Sequence, residues 1–431
     1  MTASQVNFPY SEHELDNGLR VVLHRDERTP VVAVHVMYHV GSKDERPGRT
    51  GFAHLFEHLL FQGTEHVPKG EHFRLIQNAG GTLNGSTWFD RTNYFETVPS
   101  NQLELALWLE SDRMGFFEPS ITREKLENQR GVVMNERRQS YENRPYGLAF
   151  ETVLAAAYPE GHPYRHPTIG YMEDIEAASL EDVRSFFRTF YGPNNATLVV
   201  AGDADPDEAL TAVDRWFGEI PRRDPPPERE APEVGAPGER RRTIEDSVQV
   251  PRVYLMYRAP SFRDPSFETS DVLSSLLADG KSSRLYRELV YERQVAGEVN
   301  AFTWPTELEG MLWVVATARP GVDADRLESA VRETVGGLRD GGPDTGEVAG
   351  ARNRTRRSLV RRANSVGRRA DAFAHAAVLR DDPGYVNRAF DRYEAVERED
   401  LLELGEEVLR DDRLTVVRVI PEDEARREEA A

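Results

Sequence analysis

The sequence predicts an α+β protein built from two tandem, homologous α/β-sandwich domains joined by a proline-rich linker. Three observations predict this architecture. Strand-like and helix-like segments alternate along the chain, matching landmarks recur in the two halves, and a stretch rich in proline and charge separates the halves. The 431 residues are enough for two domains of the usual ~100–200 residues each.

The predicted secondary structure is mixed in both halves. Apolar runs rich in β-branched residues predict strands over residues 19–24, 31–39, 94–98 and 311–318. Apolar residues at helical spacing predict helices over residues 103–114, 126–133 and 327–338. This order of elements predicts helices layered on a largely antiparallel sheet in each half.

The two halves share landmarks at the same spacing. The segment Gly81 to Trp88 in the first half corresponds to Gly297 to Trp304 in the second. Near the end of each half an aspartate-led helix precedes a strand, at Asp182 and again at Asp400. The repeat is too long for a solenoid, so the sequence predicts one type of domain that occurs twice.

Composition predicts the boundary between the halves. Residues 221–243 contain six prolines and many charged residues, with Val234 as the only sizeable aliphatic side chain. Such a segment cannot bury a core and is predicted to be a stiff, extended linker. We therefore predict an N-terminal domain over residues 1–220, the linker over 221–243 and a C-terminal domain over 244–431.

Composition also excludes several kinds of site and partner. The chain has a formal net charge of −20 and no cysteine, which excludes disulfides, thiolate metal sites and cysteine nucleophiles. The negative charge argues against nucleic-acid binding, which needs a basic surface. No segment approaches the ~20 apolar residues of a membrane-spanning helix. Because residues 1–12 also lack an export signal, we expect a cytoplasmic protein without a membrane partner.

The strongest chemical signal lies between Gly51 and Gly63. His54 and His58 are four residues apart and would share one face of a helix, with Glu57 beside them. This is the H-x-x-E-H arrangement, in which two imidazoles bind one metal ion and the glutamate reaches a water molecule at the metal. The other side chains of the segment are almost all apolar, so the helix is predicted to be buried.

Buried histidines need partners, because an unsatisfied buried polar group costs about 1–3 kcal/mol. A metal ion would supply the partner; the alternative is that His54 and His58 are core histidines bonded to backbone carbonyl groups. A catalytic zinc ion usually takes three protein ligands and leaves one position open. Glu136 shares a helical stripe with Leu126 and Val133 and is a candidate third ligand. The alternative for Glu136 is a solvated helix face.

These residues resemble the signature of a known family. His54 to Thr64 is similar to the zinc motif of the pitrilysin, or insulinase-type (M16), zinc metallopeptidases. The similarity covers most of residues 10–420 and continues at Gly80–Tyr94, Glu127–Arg138, Gly161–Tyr164 and Gly280–Leu285. The resemblance implies the pitrilysin/LuxS-type metallohydrolase-like fold. It also implies a short-chain bacterial member similar to the zinc-bearing subunit of mitochondrial processing peptidase.

Carried over residue by residue, the resemblance assigns the central chemistry. It implies that His54, His58 and Glu136 bind one Zn²⁺ per chain. Glu57 is then the general base that deprotonates the attacking water and passes the proton to the leaving amine. The resemblance therefore implies a zinc metalloendopeptidase.

The resemblance also assigns positions around the metal. Asn84 and Gly85 lie where the family's edge strand pairs with an extended peptide substrate. Gln129 stands seven residues before Glu136, where family members often have a glutamate that orients a zinc-binding histidine. Glutamine can still accept a hydrogen bond but lacks the charge, so we expect weaker support of the histidine there without loss of activity.

One part of the family's site is missing from this chain. Family peptidases use an arginine and, further along, a tyrosine from the second half to hold substrate and stabilise the developing oxyanion. The corresponding residues here are Val290 and Gly297. This pattern resembles the family's heterodimers, in which one subunit carries zinc and a homologue supplies the arginine and tyrosine.

We therefore predict a zinc-dependent endopeptidase subunit that cleaves short or unfolded peptides in an enclosed chamber. Its predicted partner is a homologous M16 subunit that lacks the zinc motif, and a self-dimer is the alternative. Two other functions compete with this prediction. A non-catalytic assembly subunit, like the core proteins of a respiratory complex, would tend to lose motif residues that are present here. A peptide-binding chamber that keeps zinc but barely cleaves is compatible with the missing arginine and tyrosine.

The net charge of −20 generates a prediction about substrates. An acidic chamber wall attracts basic peptides through a field that salt screens. We expect basic peptides to be cleaved faster than acidic peptides of equal length, and the difference to shrink as salt rises from ~0.05 to ~0.5 M. Cleavage rates for a peptide series of varied charge test this. Rates that are indifferent to both peptide charge and salt would show that the charge serves only solubility.

Overall fold

Two compact units make up the part of the chain that the computed structural model describes, residues 7–227, 231–235 and 238–422. Each unit contains one β-sheet with helices packed against it. The first unit takes residues 1–137, 166–230 and 360–388, and the second takes residues 138–165, 231–359 and 389–431.

The helices are distributed over both units. In chain order, the α-helices of the described residues are α1 (Phe52–Leu59), α2 (Glu71–Asn78), α3 (Leu103–Phe116), α4 (Arg123–Arg137), α5 (Ala149–Ala157), α6 (Met172–Glu176), α7 (Leu180–Phe190), α8 (Pro206–Phe217), α9 (Phe267–Ala278), α10 (Ala324–Gly341), α11 (Thr345–Arg362), α12 (Val366–Arg380), α13 (Tyr385–Glu394) and α14 (Arg398–Val408). Two π-helical segments, Arg138–Glu142 and Tyr286–Glu292, add to the second unit.

The first unit is built on a six-stranded sheet in the order β1-β2-β6-β3-β5-β4. Its strands are β1 (Ser11–Glu14), β2 (Arg20–Arg25), β3 (Val31–Tyr38), β4 (Thr82–Thr87), β5 (Thr92–Pro99) and β6 (Ala196–Gly202). Neighbouring strands are antiparallel except β2 and β6, which run parallel. Strand β4 pairs only with β5 among the described strands and therefore forms one edge of the sheet.

The second unit repeats this arrangement in a five-stranded sheet of order β7-β11-β8-β10-β9. Its strands are β7 (Arg240–Asp246), β8 (Arg252–Ala259), β9 (Ala296–Trp304), β10 (Gly310–Ala318) and β11 (Leu414–Pro421). Here too one neighbouring pair, β7 and β11, is parallel and the others are antiparallel. The repeated landmarks fall on equivalent edge strands, with Asn84 in β4 and Asn300 in β9. The predicted α+β class and the tandem duplication are confirmed.

Each sheet is covered in part by a helix from the other half of the sequence. Helix α12 packs on β3 and β6 of the first unit, where Phe373 and neighbouring alanines meet Ala33, Met37 and Val199. Helix α5 packs on β11 and β7 of the second unit. An apolar sheet face needs a helix over it, and either half can provide one. The compact units therefore interleave along the chain. The division into sequential domains over 1–220 and 244–431 stays a prediction.

The predicted linker, residues 221–243, follows α8 and overlaps the start of β7. Its residues 228–230 and 236–237 lie outside the described residues. Strand β7 starts inside the predicted linker, at Arg240, and pairs with β11 from Thr415 onward. Exposed charged side chains are tolerated in this strand because it forms an edge of its sheet. Among the described helices, none has the length and hydropathy that crossing a bilayer requires.

The contact of α12 with the first sheet makes a testable contribution to stability. Phe373 is fully buried in this contact, so Phe373→Ala leaves a cavity and should lower the free energy of unfolding by about 3–5 kcal/mol. Phe116, at the end of α3, is 43% exposed, and Phe116→Ala should cost less than about 1 kcal/mol. Urea titrations followed by circular dichroism compare the two variants. Equal losses would contradict the proposed role of α12 in the first unit.

Candidate metal centre

Helix α1, which carries the histidine motif, is anchored at its N-terminus by a buried carboxylate. Glu45 accepts hydrogen bonds from the backbone N–H groups of Gly51 and Ala53, both at 2.7 Å. These groups would otherwise lack partners, and a negative charge is favourable at a helix N-terminus. Gly51 has a φ of 84°, and a Cβ there would lie 2.5 Å from the carbonyl oxygen of Ile169, so the turn into the helix requires glycine.

Aromatic packing holds the face of α1 that is opposite the histidines. Phe56 is fully buried and stacks on Tyr191, with ring centroids 5.1 Å apart. Phe117 and Phe187 pack around the same ring. Residues two positions apart on a helix point in nearly opposite directions. The buried Phe56 therefore directs the imidazoles away from this aromatic cluster.

Helices α1 and α4 pack against each other and bring the three predicted ligands together. His54 Nε2 lies 3.7 Å from Glu136 Oε1, and His58 Nε2 lies 3.4 Å from Glu136 Oε2. The ligand atoms of these three residues all lie within 4.8 Å of one another. One metal ion can therefore contact all three side chains.

The protonation states of this group suit a metal ion. Burial lowers the pKa of His54 to about 4, and neighbouring His58 contributes in the same direction, so the imidazole is neutral at pH 7. The hydrogen bond from His58 lowers the pKa of Glu136, which keeps it a carboxylate. Two imidazoles and one carboxylate form a donor set that zinc accepts in catalytic sites. The residues present therefore fit zinc.

Glu57 lies beside the ligands and is held by a residue that the sequence analysis did not single out as a site residue. Thr87 Oγ1, at the end of β4, donates a hydrogen bond of 2.8 Å to Glu57 Oε2. Burial raises the pKa of Glu57, while the hydrogen bond from Thr87 opposes this shift. The carboxyl group is therefore a better proton acceptor than an exposed glutamate and has a fixed orientation. In the sequence, Thr87 was marked only by its place in the repeated segment Gly81 to Trp88 and in the family-like segment Gly80–Tyr94.

Strand β4 places the exposed Asn84 and the buried Gly85 at the edge of the sheet, next to Glu57. The backbone N–H of Gly85 donates to Asn84 Oδ1 at 2.9 Å. A Cβ at Gly85 would lie 3.1 Å from the Phe61 ring and 3.3 Å from Glu57 Cγ. A larger residue would thus crowd the carboxylate, which explains glycine at this position. The peptide-binding role of Asn84 and Gly85 stays a prediction.

Gln129 occupies a buried position on α4 without a bond to the buried nitrogen of His54. Its Nε2 donates to Asn128 Oδ1 at 2.8 Å. His54 Nδ1 is buried and has no hydrogen-bond partner within the described part of the chain. In this structure Gln129 therefore does not orient His54. Its predicted support of a zinc-binding histidine stays a prediction.

A second group of carboxylates and histidine lies in the first unit, but an arginine occupies it. His72 Nε2 is hydrogen bonded to Glu96, and Arg113 Nη2 lies 3.0 Å from His72 Nδ1. Arg113 Nη1 also lies 3.3 Å from Glu110 Oε1. Burial raises the pKa of Glu96 to about 7 and that of Glu110 to about 8. With both ring nitrogens of His72 engaged and the Arg113 guanidinium next to Glu110, this cluster does not offer a metal site.

In the second unit, the positions that correspond to the family's arginine and tyrosine lack functional side chains. Val290 is buried in the π-helical segment, and Gly297 is exposed near the start of β9. Of the nearby polar residues, Arg293 pairs with Glu333 at 2.6 Å. Tyr291 is 76% exposed. The second unit of this chain therefore presents no arginine or tyrosine at the two expected positions.

Two family models match the chain. The model described as "Insulinase (Peptidase family M16)" matches residues 20–170, which include the histidine motif and Glu136. The model described as "Peptidase M16 inactive domain" matches residues 177–355. Together the two models cover well over half of the chain.

Similar proteins agree with this match. The zinc protease PqqE of Helicobacter pylori is 30% identical over 94% of this chain and 92% of that protein. YmxG of Bacillus subtilis, named an uncharacterized zinc protease, is 24% identical over 80% of this chain and 82% of that protein. The crystal structure of a protease from Helicobacter pylori has a TM-score of 0.89 at 28% identity and covers 96% of this chain and 100% of that chain. The chain belongs to the M16 family of peptidases.

Proposed function

We propose that this chain is the zinc-bearing subunit of an endopeptidase that acts on short or unfolded peptides. The observation that carries the proposal is the convergence of His54, His58 and Glu136, whose ligand atoms lie within 4.8 Å of one another, beside the carboxylate of Glu57. When bound there, one Zn²⁺ per chain would polarise the scissile carbonyl group and make a water molecule more acidic.

Glu57 is the proposed proton carrier. Its raised pKa and its hydrogen bond to Thr87 suit it to take a proton from the attacking water. The resulting carboxylic acid then gives this proton to the nitrogen of the cleaved peptide bond, which leaves as an amine. Glu57 is thereby returned to the carboxylate form for the next cycle.

The edge strand β4 is the proposed peptide-binding strand. A peptide that adds to this edge needs the backbone donor of Gly85, which Asn84 Oδ1 accepts at 2.9 Å in this structure. A substrate carbonyl group can take over this donor when the Asn84 side chain turns away. Because only an extended chain can pair with a strand edge, the geometry favours short or unfolded peptides.

A partner subunit is part of the proposal. The buried Val290 and the side-chain-free Gly297 cannot stabilise an oxyanion in the way that arginine and tyrosine do. We propose that a homologous M16 subunit without the zinc motif supplies these groups. The alternative partner, a second copy of this chain, would enclose the substrate but supply neither group. The four domains of two chains would then enclose the substrate.

The same missing pair favours a second candidate function for the isolated chain. In this alternative the chain binds zinc and peptides but does not cleave them, or it serves as an assembly subunit. In this alternative, neither zinc binding nor peptide binding depends on proton transfer by Glu57.

Replacement of Glu57 separates these functions. Glu57→Gln should lower peptide turnover by about 10²–10⁴-fold, while bound zinc stays near one ion per chain because the ligands are unchanged. Turnover of a peptide library and metal analysis by mass spectrometry measure both quantities. Glu127→Gln, an exposed change on α4, is the control and should alter neither. With the partner subunit present in both assays, equal turnover of the wild-type chain and Glu57→Gln would rule out the peptidase mechanism. A chain without zinc would favour the assembly role.

Reconstitution tests the partner. The purified chain alone should cleave peptides at least about tenfold more slowly than the chain mixed with an M16 homologue that carries the arginine and tyrosine, because these groups stabilise the transition state. Size-exclusion chromatography with light scattering shows whether a heterodimer forms. Full activity of the isolated chain as a monomer would contradict the need for any partner.

A further inference from the structure

A cluster of polar side chains outside the metal ligands connects α12 to the edge strand β4. Arg91 lies in the turn between β4 and β5, and its Nη1 donates to the carbonyl oxygen of Ser86 at 2.8 Å and to Ser86 Oγ at 2.7 Å. Its Nε lies 3.3 Å from His375 Nε2 on α12. Arg91 therefore bridges the end of the edge strand and a helix that is 284 residues away in the sequence.

The hydrogen-bond partners of His375 define its role. His375 Nδ1 lies 2.9 Å from the carbonyl oxygen of Asp371 and 3.2 Å from Asp371 Oδ1. Both partners can only accept, so the proton of a neutral His375 is on Nδ1. This tautomer leaves a lone pair on Nε2, which is the atom that faces the Nε–H of Arg91. Asp371 thus holds His375 in the tautomer that can accept a hydrogen bond from Arg91.

The network extends into the sheet. Ser86 Oγ donates to Asn93 Oδ1 at 2.7 Å, and Asn93 Nδ2 donates to the buried His35 Nε2 at 2.9 Å. Burial lowers the pKa of His35 to about 4, so this ring is a neutral acceptor at pH 7. Three adjacent strands, β3, β5 and β4, are therefore joined at this point by side chains as well as by backbone bonds.

The charge of Arg91 is balanced on two sides. Burial lowers its pKa, but the carboxylates of Asp371 and Glu57 oppose this shift. A half-buried guanidinium that lies near carboxylates and makes several hydrogen bonds is costly to displace, because its charge would lose these partners. The Arg91 side chain is thus a fixed point: its partners hold it in one position, unlike a mobile side chain on the surface.

The position of Ser86 links this fixed point to the candidate site. Ser86 stands between Gly85, which lines the edge next to Glu57, and Thr87, whose hydroxyl holds the Glu57 carboxylate at 2.8 Å. Adjacent Cα atoms are about 3.8 Å apart, so a shift of Ser86 moves both neighbours. The orientation of Glu57 therefore depends on where Arg91 holds the strand.

We propose that Arg91, held by His375 and Asp371 of α12, is a positioning residue of the peptidase site. It fixes the end of β4 so that Thr87 orients Glu57 and Gly85 presents its backbone to a peptide. The catalytic consequence rests on the proposed function, whereas the fixed strand can be tested without any peptidase activity.

Hydrogen exchange of the zinc-loaded full chain tests the fixed strand directly. Arg91→Met and His375→Leu should each raise the exchange rates of the β4 amides by about tenfold. Arg74→Met, which removes an exposed arginine of α2 paired with Glu71, is the control and should leave β4 unchanged. If Arg91→Met does not fold, His375→Leu gives the same test with the arginine in place. Unchanged exchange in β4 would overturn the proposal whatever the activity.

Kinetics with the partner subunit test the positioning role. Arg91→Met should lower kcat about tenfold with zinc content unchanged. His375→Gln, whose amide oxygen can accept from Arg91, should keep most of the activity that His375→Leu loses. In a Thr87→Val background, Arg91→Met should have little further effect, because the path to Glu57 is already broken. Fully additive losses would overturn the proposal. An inactive wild-type assembly would contradict the proposed function instead. Hydrogen exchange by itself would then test whether Arg91 fixes β4.

Discussion

The contact between α1 and α4 is the interaction on which the candidate site depends. It brings two imidazoles and the Glu136 carboxylate within 4.8 Å of one another, in a place where at least His54 is desolvated. Such a group is unfavourable unless its members pair with one another or with a cation. The surrounding structure maintains the contact: Glu45 caps α1, and Phe56 anchors its opposite face. The candidate metal centre is therefore a product of helix packing rather than of a flexible loop.

The candidate site also requires a sheet edge that lies against Glu57. Strand β4 provides this edge, because Gly85 permits a close approach and Thr87 supplies the hydrogen bond to the carboxylate. Helix α12, which lies in the second half of the sequence, packs on the same sheet and reaches β4 through Arg91. The duplicated chain thus uses its second half within the unit that carries the candidate metal ligands, and this gives a structural reason for keeping both halves in one polypeptide.

Local pattern was sufficient to predict much of the fold and to place His54 and His58 on one helix face. The helical stripe of α4 made Glu136 a candidate but left a solvated face as the alternative, and its assignment as the third ligand came from the resemblance to the M16 family. The contacts of Thr87 and Arg91 could not be predicted, because each depends on a partner from a distant segment. The packing of α12 on the first sheet and of α5 on the second was not predicted, for the same reason. The amphipathic pattern of a helix shows which face is buried but not which sheet that face packs against. The start of β7 inside the predicted linker was hidden by its charged edge-strand sequence.

The metal centre is tested most directly by an anomalous difference map at the zinc absorption edge, from crystals of the zinc-loaded chain. We expect a peak between α1 and α4, about 2.0–2.2 Å from His54 Nε2, His58 Nε2 and an oxygen of Glu136. Zinc-loaded crystals with no peak at this place, or with a peak bound by other side chains, would contradict the assignment of these three residues as the ligands.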